Sequence, residues 1–157
     1  KELGYQVGTG FMVGSPWQTM ANLLEDLAFI RELQPQMIGI GPFIPHHATP
    51  FKNYPAGTLE QTLTLLSVLR LMFPKVLLPA TTALGTIVPN GRELGILAGA
   101  NVVMPNLSPA DVRQNYLLYD NKLCSGAEAA EAKNDLAARL HSIGYEIAEG
   151  RGDYKES

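Results

Sequence analysis

Two adjacent threonines are the side chains of this sequence best suited to hold a small polar molecule. Thr81 and Thr82 follow the apolar run from Val76 to Ala80, which is typical of a buried strand. Two hydroxyls at the carboxyl end of such a strand can donate hydrogen bonds to a carboxylate or another small anion. They can equally satisfy backbone groups of their own loop, which we take to run to Thr86. Thr81 and Thr82 are therefore the first candidate binding residues.

Soft sulfur and aromatic side chains form a second set of candidates. Met37 and Met104 lie on predicted strands, and a thioether suits contact with sulfur-rich or aromatic ligands, although most methionines only fill cores. Tyr116 and Tyr119 follow the last predicted strand in a Tyr-x-x-Tyr spacing, and each combines apolar area with one polar group. Packing alone explains Tyr116 nearly as well, and it explains Tyr119 less well. Arg113, one turn earlier, can pair with an acid or with a helix end.

The glycines of the first strand resemble a dinucleotide-binding fingerprint at first sight. Gly8, Gly10 and Gly14 have roughly the required spacing, but the last glycine falls one residue late. No acidic residue follows that could bind a ribose. The sequence therefore disfavours a Rossmann site.

Metal and thiol chemistry find little support in this sequence. Cys124 is the one cysteine, so an internal disulfide framework is excluded and a reducing compartment is favoured. His46 and His47 are adjacent and point in different directions, and no cysteine or carboxylate nearby completes a ligand set. We predict no metal site.

Strands and helices alternate along the chain. The predicted strands are Tyr5 to Val13, Met37 to Gly41, Val76 to Ala80 and Asn101 to Met104. The predicted helices begin after the N-caps Thr19 and Thr58, span Arg92 to Ala98 and Ala127 to Ile143, and include a less regular segment from Pro109 to Leu118. Such alternation predicts a parallel sheet with crossover helices. A full eight-unit barrel needs about 200 to 250 residues, so four units make half of one; a small open doubly wound sheet is the alternative.

Composition excludes several classes of function. The 157 residues are 46% hydrophobic and 17% charged with a net charge of −3, which indicates one globular domain. A mildly acidic chain without a run of Lys and Arg offers no basic surface for binding nucleic acid or an anionic membrane. No apolar run is long enough to span a bilayer. No signal peptide is evident, so we expect a cytoplasmic location. Lys1 to Tyr5 is typical of a helix end, so we expect the fold to start upstream.

Four strings carry a family resemblance. They are GTGFMVG from Gly8 with the following Gln18-Thr19, GIGPFIPH from Gly39, PATTALGT from Pro79 and GANVVMPN from Gly99. Together they resemble the radical S-adenosylmethionine (SAM) maturase of iron-iron hydrogenase, within the biotin synthase-like superfamily. The order and spacing of the strings make the resemblance specific, and it covers roughly residues 1 to 124.

The resemblance implies an α/β fold that is the C-terminal half of a (β/α)8 TIM-type barrel, with about four parallel βα units and a C-terminal helix. Residues 1–124 would form the half-barrel, 125–148 a helical segment and 149–157 a frayed tail. Family members bind SAM and a four-iron four-sulfur cluster through an N-terminal Cys-x3-Cys-x2-Cys loop, which this chain lacks. Because the cluster requires thiolates, we expect no cofactor on this chain alone, no reductive SAM cleavage and no second cluster at Cys124.

The resemblance also assigns roles to single residues. It implies that the substrate cavity is lined by Thr81, Thr82, Met37, Met104, Tyr116 and Tyr119, and that SAM lies against Gly10, Met12 and Val13. None of these is a catalytic acid or base. His46 would belong to a loop over the barrel mouth, and Trp17 replaces a residue that is usually small in the family.

Three functional hypotheses follow. In the first, a parent radical SAM enzyme binds a small molecule and contributes to the hydrogenase cofactor, with this chain forming part of the cavity wall. In the second, a non-radical barrel-type lyase or isomerase binds a phosphate at the loop from Thr81 to Thr86, although no Lys or carboxylate is placed for proton transfer. In the third, a non-catalytic half-barrel pairs with the missing N-terminal half or with itself.

Overall fold

The computed structural model describes residues 1–105 and 129–155, and all statements below concern these residues. Its helices and strands alternate along the chain, as predicted. In chain order they are β1 (Gly8–Val13), α1 (Met20–Leu33), β2 (Met37–Pro42), α2 (Leu59–Met72), β3 (Pro79–Ala80), α3 (Thr82–Ile87), α4 (Gly91–Leu97), β4 (Val102–Val103) and α5 (Ala129–Ser142).

Helices α1 and α2 begin where the sequence predicts. The hydroxyl of Thr19 accepts a hydrogen bond from the backbone N–H of Asn22, and the Asn22 side chain accepts one from the Thr19 N–H, so α1 starts with a reciprocal cap. Thr58 caps α2 by accepting from the N–H of Gln61 at 3.2 Å. α1 ends at Leu33, and its C-cap Gln34 takes a left-handed conformation with φ of 50°. Both predicted N-caps are confirmed.

All observed strand pairs are parallel. β1 and β2 pair over their full length, from Gly8 opposite Met37 to Val13 opposite Pro42. β3 pairs with β4, and an isolated parallel bridge between Met37 and Leu77 connects the two ladders. The predicted parallel arrangement with crossover helices is therefore confirmed for the described residues. None of their helices is long and apolar enough to cross a membrane.

The third strand is shorter than the predicted run from Val76 to Ala80. Pro79 has no N–H to donate to a ladder. The backbone N–H of Leu78 instead donates to the side-chain oxygen of Asn101 at 2.8 Å, while the Leu78 carbonyl accepts from the backbone N–H groups of Asn101 and Val102. A side chain thus replaces part of the ladder that a longer strand would form.

The prediction of a loop from Thr81 to Thr86 is wrong, because Thr82–Ile87 forms the helix α3. Its residues include Thr and Gly, which have low helix propensity. Tertiary packing overrides that preference: Leu84 is completely buried. α4 packs closely on this turn, since a Cβ on Gly91 would lie only 2.0 Å from the Leu84 carbonyl oxygen.

The hydrophobic core lies between the strands and the helices. Alternate strand residues enter it: Val13 from β1, Ile38 and Ile40 from β2, and Leu78 before β3. The helices contribute Leu23, Ile30, Leu65, Leu66, Leu69, Leu84, Ile96, Leu136 and Leu140. Each fully buried side chain of this size stabilises the fold by roughly 1.5–3 kcal/mol relative to its exposed state. The core therefore fixes one face of the strands.

The predicted C-terminal helix is present as α5 and is attached to α4 by an ion pair. The Arg139 guanidinium donates to both carboxylate oxygens of the nearly buried Glu93, with a distance of 2.9 Å from Nη2 to Oε2. Burial alone would raise the pKa of the Glu93 carboxyl, but the hydrogen bonds and charge of Arg139 outweigh it and lower that pKa. Residues 145–155 contain no helix or strand, and the Tyr154 N–H lies 3.4 Å from the Gln6 side-chain oxygen.

Candidate functional site

The strand face turned away from the helices is the candidate site, and we call it the open face. Because strand residues alternate between faces, those that alternate with the core residues belong to it. Its members are Gly8, Gly10, Met12, Met37, Gly39, Gly41, Thr81 and Met104. None of them is fully covered by the described part of the chain. The open face can therefore be approached by another molecule or by another segment of protein.

Glycines form the floor of the open face. Gly10 lies opposite Gly39, and a Cβ on Gly10 would be 1.8 Å from the Gly39 carbonyl oxygen. A Cβ on Gly39, in contrast, would meet no atom within 4 Å. The two strands thus approach closely at Gly10 and leave free space above Gly39. A flat ring can lie on backbone of this kind without meeting side chains.

The three residues predicted to contact SAM divide between the two faces. Gly10 and the exposed Met12 lie on the open face. The Val13 side chain is completely buried in the core, and its carbonyl accepts a hydrogen bond from the Phe43 N–H at 2.8 Å. Val13 can therefore shape this site only through its position at the end of β1.

Gln18 holds the turn that follows β1, a role that the sequence analysis did not assign. Its side-chain oxygen accepts from the Gly14 N–H at 2.7 Å, and its amide nitrogen donates to the Met12 carbonyl at 2.8 Å. Gly14 has a φ of 76°, and a Cβ there would lie 2.5 Å from Cα of Gly57. The sequence signal is an amide side chain four residues after a turn glycine.

Thr81 places its hydroxyl against β2 at the carboxyl end of the open face. A Cβ on Gly41 would lie 2.7 Å from the Thr81 Oγ1, so the two residues are in close contact. This oxygen is buried and has no hydrogen-bond partner among the described residues. Buried hydroxyls without a partner are uncommon because their desolvation is not compensated. The Thr81 hydroxyl is therefore available to a ligand if its side chain rotates or its surroundings open.

Thr82 is engaged within the protein. It is the first residue of α3, and its hydroxyl lies 3.5 Å from Nη2 of Arg92, which is placed to donate to it. Its carbonyl accepts from the Thr86 hydroxyl at 3.1 Å. The two predicted threonines therefore differ, because the Thr81 hydroxyl has no partner among the described residues and the Thr82 hydroxyl has one. The guanidinium of Arg92 lies beside Thr82.

The two candidate methionines lie at opposite ends of the sheet. Met104 follows β4, and extension of the β3–β4 register places it opposite Thr81. Met37 begins β2 and lies four residues before Gly41, which corresponds to about 13 Å along a strand. Met104 and Thr81 therefore share one end of the open face, and Met37 does not reach it.

Several predicted residues fall outside the described part of the chain. They are Arg113, Tyr116, Tyr119 and Cys124. Their roles stay predictions.

Residues 43–58, which we call the mouth loop, lie at the carboxyl ends of β1 and β2. The rings of His46 and His47 stack within it at a centroid distance of 4.3 Å, so the expectation that they point in different directions is wrong. Among the described residues, no group of three or more His, Cys, Asp or Glu side chains is arranged to hold a metal ion. The mouth loop also contains Phe51 and Tyr54, whose rings contact Trp17 of the β1–α1 turn.

Sequence comparison shows which known proteins the chain resembles. No protein-family model matches the chain. Over 124 residues, or 79% of its length, the chain is 51% identical to the [FeFe] hydrogenase maturase subunit HydE of Thermotoga maritima. Over these residues the chain is closely similar to that maturase. The resemblance read from the four sequence strings is thereby confirmed.

Two further relatives carry another name. The chain is 33% identical over 123 residues to a 3-methylornithine synthase of Methanosarcina barkeri, and 28% identical over 148 residues to the one of Methanosarcina acetivorans. These matches cover 34% and 41% of the two synthases, and the match to the maturase covers 36% of it. The chain thus spans little more than a third of the length of its curated relatives.

Proposed function

We propose that this chain is the C-terminal half of the barrel of a radical SAM enzyme that takes part in assembling the [FeFe] hydrogenase cofactor. The observation that carries the proposal is the 51% identity to the maturase over 124 residues of the chain. In this proposal the open face is the inner wall of the barrel. The parent protein is the enzyme, and this chain contributes part of its cavity.

Two exposed surfaces support a half-barrel that needs a complement. β1 pairs with β2 along one edge, and no described strand pairs with its other edge. α1 exposes the apolar side chains of Met20 and Leu24. In a barrel, the preceding strand would pair with the free edge of β1, and the preceding helix would cover the apolar side chains of α1. The N-terminal half of the barrel is the proposed partner, and a second copy of this chain is the alternative.

The residues of β1 fit the proposed position of SAM in part. Gly10, Gly39 and the exposed Met12 leave a flat, partly apolar surface on which an adenine ring can lie. SAM bound beside a reduced four-iron cluster supplies the organic radical of this enzyme class. One cysteine cannot supply three cluster thiolates, so the ligands of the cluster would belong to another part of the parent protein.

The carboxyl end of the open face is the proposed substrate wall. Thr81 offers a hydroxyl without an internal partner, and Met104 provides a soft apolar surface opposite it. Thr82 and Arg92 stand next to them and fix the start of α3. We retain Tyr116 and Tyr119 as predicted walls and place Met37 at the far end of the same face. These residues bind and orient a small molecule and exclude water.

The second candidate function is that of the synthase relatives. The Methanosarcina acetivorans protein matches 94% of this chain, which is more than the 79% matched by the maturase. This wider match favours a synthase that makes an amino acid of the 3-methylornithine type. Its lower identity of 28% makes it the weaker candidate. The phosphate-binding lyase stays a weaker alternative, since no Lys or carboxylate in the segment from Thr81 to Thr86 could transfer a proton.

The proposal is tested in two proteins under anaerobic conditions. This chain alone, treated with iron and sulfide, is expected to stay colourless and to leave SAM intact, and stoichiometric iron on it would contradict our assignment. The complete protein is expected to release 5′-deoxyadenosine from SAM. Thr81→Val should keep this release but lose its stimulation by substrate, whereas Thr86→Val serves as the control. A product of the 3-methylornithine type would favour the second candidate.

A further inference from the structure

Three aromatic rings join the turn after β1 to the mouth loop, and we call them the aromatic clasp. Trp17 contacts Phe51 with a centroid distance of 5.9 Å and Tyr54 at 5.2 Å, and Phe51 and Tyr54 are 5.9 Å apart. All three pairs meet edge to face, which is a favourable geometry for aromatic pairs. The rings fill the space between them, so they form a contact and leave no cage for a ligand.

Trp17 adopts a backbone conformation that its residue type disfavours. Its φ is 64°, in the left-handed region, where a bulky side chain is uncommon. Its side chain remains 74% exposed, so burial does not account for the conformation. Strained residues of this kind persist where surrounding contacts hold them, and they concentrate at functional sites. The contacts observed here are those with Phe51 and Tyr54.

The base and the tip of the mouth loop are held by different interactions. At the base, the Phe43 N–H donates to the Val13 carbonyl and the Gly57 N–H donates to the Phe43 carbonyl, both at 2.8 Å. At the tip, the Tyr54 N–H donates to the Phe51 carbonyl, which is a local turn within the loop. One backbone bond therefore anchors the base to β1 and the other closes the loop at its base. The tip is held by ring contacts, those of Trp17 from the β1–α1 turn and that of Phe51 with Phe43 at 6.3 Å.

We propose that Trp17 holds the tip of the mouth loop closed at the carboxyl ends of β1 and β2, and that release of its ring contacts opens the loop. The loop lies at the end of the sheet where Thr81 meets Gly41. Opening of the tip therefore controls passage to this end of the open face. This inference concerns the movement of the loop and holds whichever ligand the open face receives.

Hydrogen exchange of the backbone amides at residues 48–54 tests the clasp in the protein as expressed. Trp17→Gly removes two ring contacts and should speed exchange of these amides about tenfold. Phe51→Ala should have a similar effect. The two variants share the contact between Trp17 and Phe51, and each also removes others, so the effects of the double variant should be less than additive. Additive effects, or unchanged exchange in Trp17→Gly, would overturn the proposal.

Two further variants separate the clasp from general loosening of the fold. Met20→Ala truncates another exposed apolar residue close to Trp17 in sequence and should leave the loop unchanged. Trp17→Phe keeps a ring and should restore slow exchange in large part. Amides of α2 should exchange at the native rate in every variant. Loop exchange in Trp17→Phe as fast as in Trp17→Gly would show that the ring does not hold the loop.

Discussion

The two faces of the same strands carry opposite kinds of residues. On the helix side, Val13, Ile38, Ile40 and Leu78 are completely or almost completely buried. On the open face, glycines alternate with them on β1 and β2, and Met12, Thr81 and Met104 lie near the carboxyl ends. Parallel sheets are usually buried on both faces. An uncovered, glycine-rich face is therefore the unusual one.

This difference indicates that the helix-side residues stabilise the fold, whereas the open-face residues are suited to contact a ligand. The helix-side residues bury large apolar area and hold the strands in register, since a shift by one residue would expose all of them. The open-face residues contribute little packing in the described structure, so their types are free to serve a ligand. Substitutions on the two faces should accordingly have different consequences.

Truncation of a core residue should give the largest effect on folding. Leu78→Ala removes a completely buried side chain and should lower the free energy of unfolding by about 2–5 kcal/mol. Met12→Ala, on the exposed open face, should change it by about 0.5 kcal/mol or less. Urea unfolding of both variants measures the contrast. Equal losses would mean that the open face is also part of the folding core.

Two glycines opposite each other should respond in opposite ways to an added methyl group. Gly10→Ala places a Cβ 1.8 Å from the Gly39 carbonyl oxygen and should cost roughly 1–3 kcal/mol of stability. Gly39→Ala meets no atom within 4 Å and should be neutral or stabilising by up to about 1 kcal/mol. Thermal unfolding of the two variants measures the difference in their stability. A Gly39→Ala variant less stable than Gly10→Ala would refute the close contact between the two strands at Gly10.

The neighbouring threonines should show a smaller contrast. Thr81→Val replaces a buried hydroxyl without a partner and should raise the free energy of unfolding by about 1 kcal/mol. Thr82→Val removes one acceptor of Arg92 and should lower the free energy of unfolding by at most about 1 kcal/mol. Urea midpoints compare the two variants. Destabilisation by Thr81→Val would mean that its hydroxyl already has a partner.

The sequence predicted the architecture well because its signals were local. Thr19 and Thr58 are capping residues followed by apolar residues at helical spacing, and the apolar runs between helices gave four parallel strands. It missed α3 because the burial of Leu84 depends on tertiary packing that local propensity does not report. It overestimated β3 because the side chain of Asn101 satisfies the backbone of Leu78.

The candidate site was predicted less completely, for a geometric reason. Residue types identified Thr81 and Met104, and the register then places them opposite each other. Met37 lies on the same face of the sheet but at the other end of β2. The alternation of strand residues shows the face on which a residue lies, and it does not show the end of the sheet. The roles of Gln18 and Trp17 depend on contacts across turns, for which single-residue patterns carry little signal.

Thiol labelling of the open face tests most directly whether it is the inner wall of a barrel. In a Cys124→Ser background of the complete protein, Met104→Cys and Leu71→Cys would be compared for their rate of reaction with a maleimide. Met104 is 53% exposed on the open face and Leu71 is 82% exposed on α2. We expect Cys at position 71 to react rapidly and Cys at 104 to be strongly protected. Rapid labelling at both positions would contradict a closed barrel around this face.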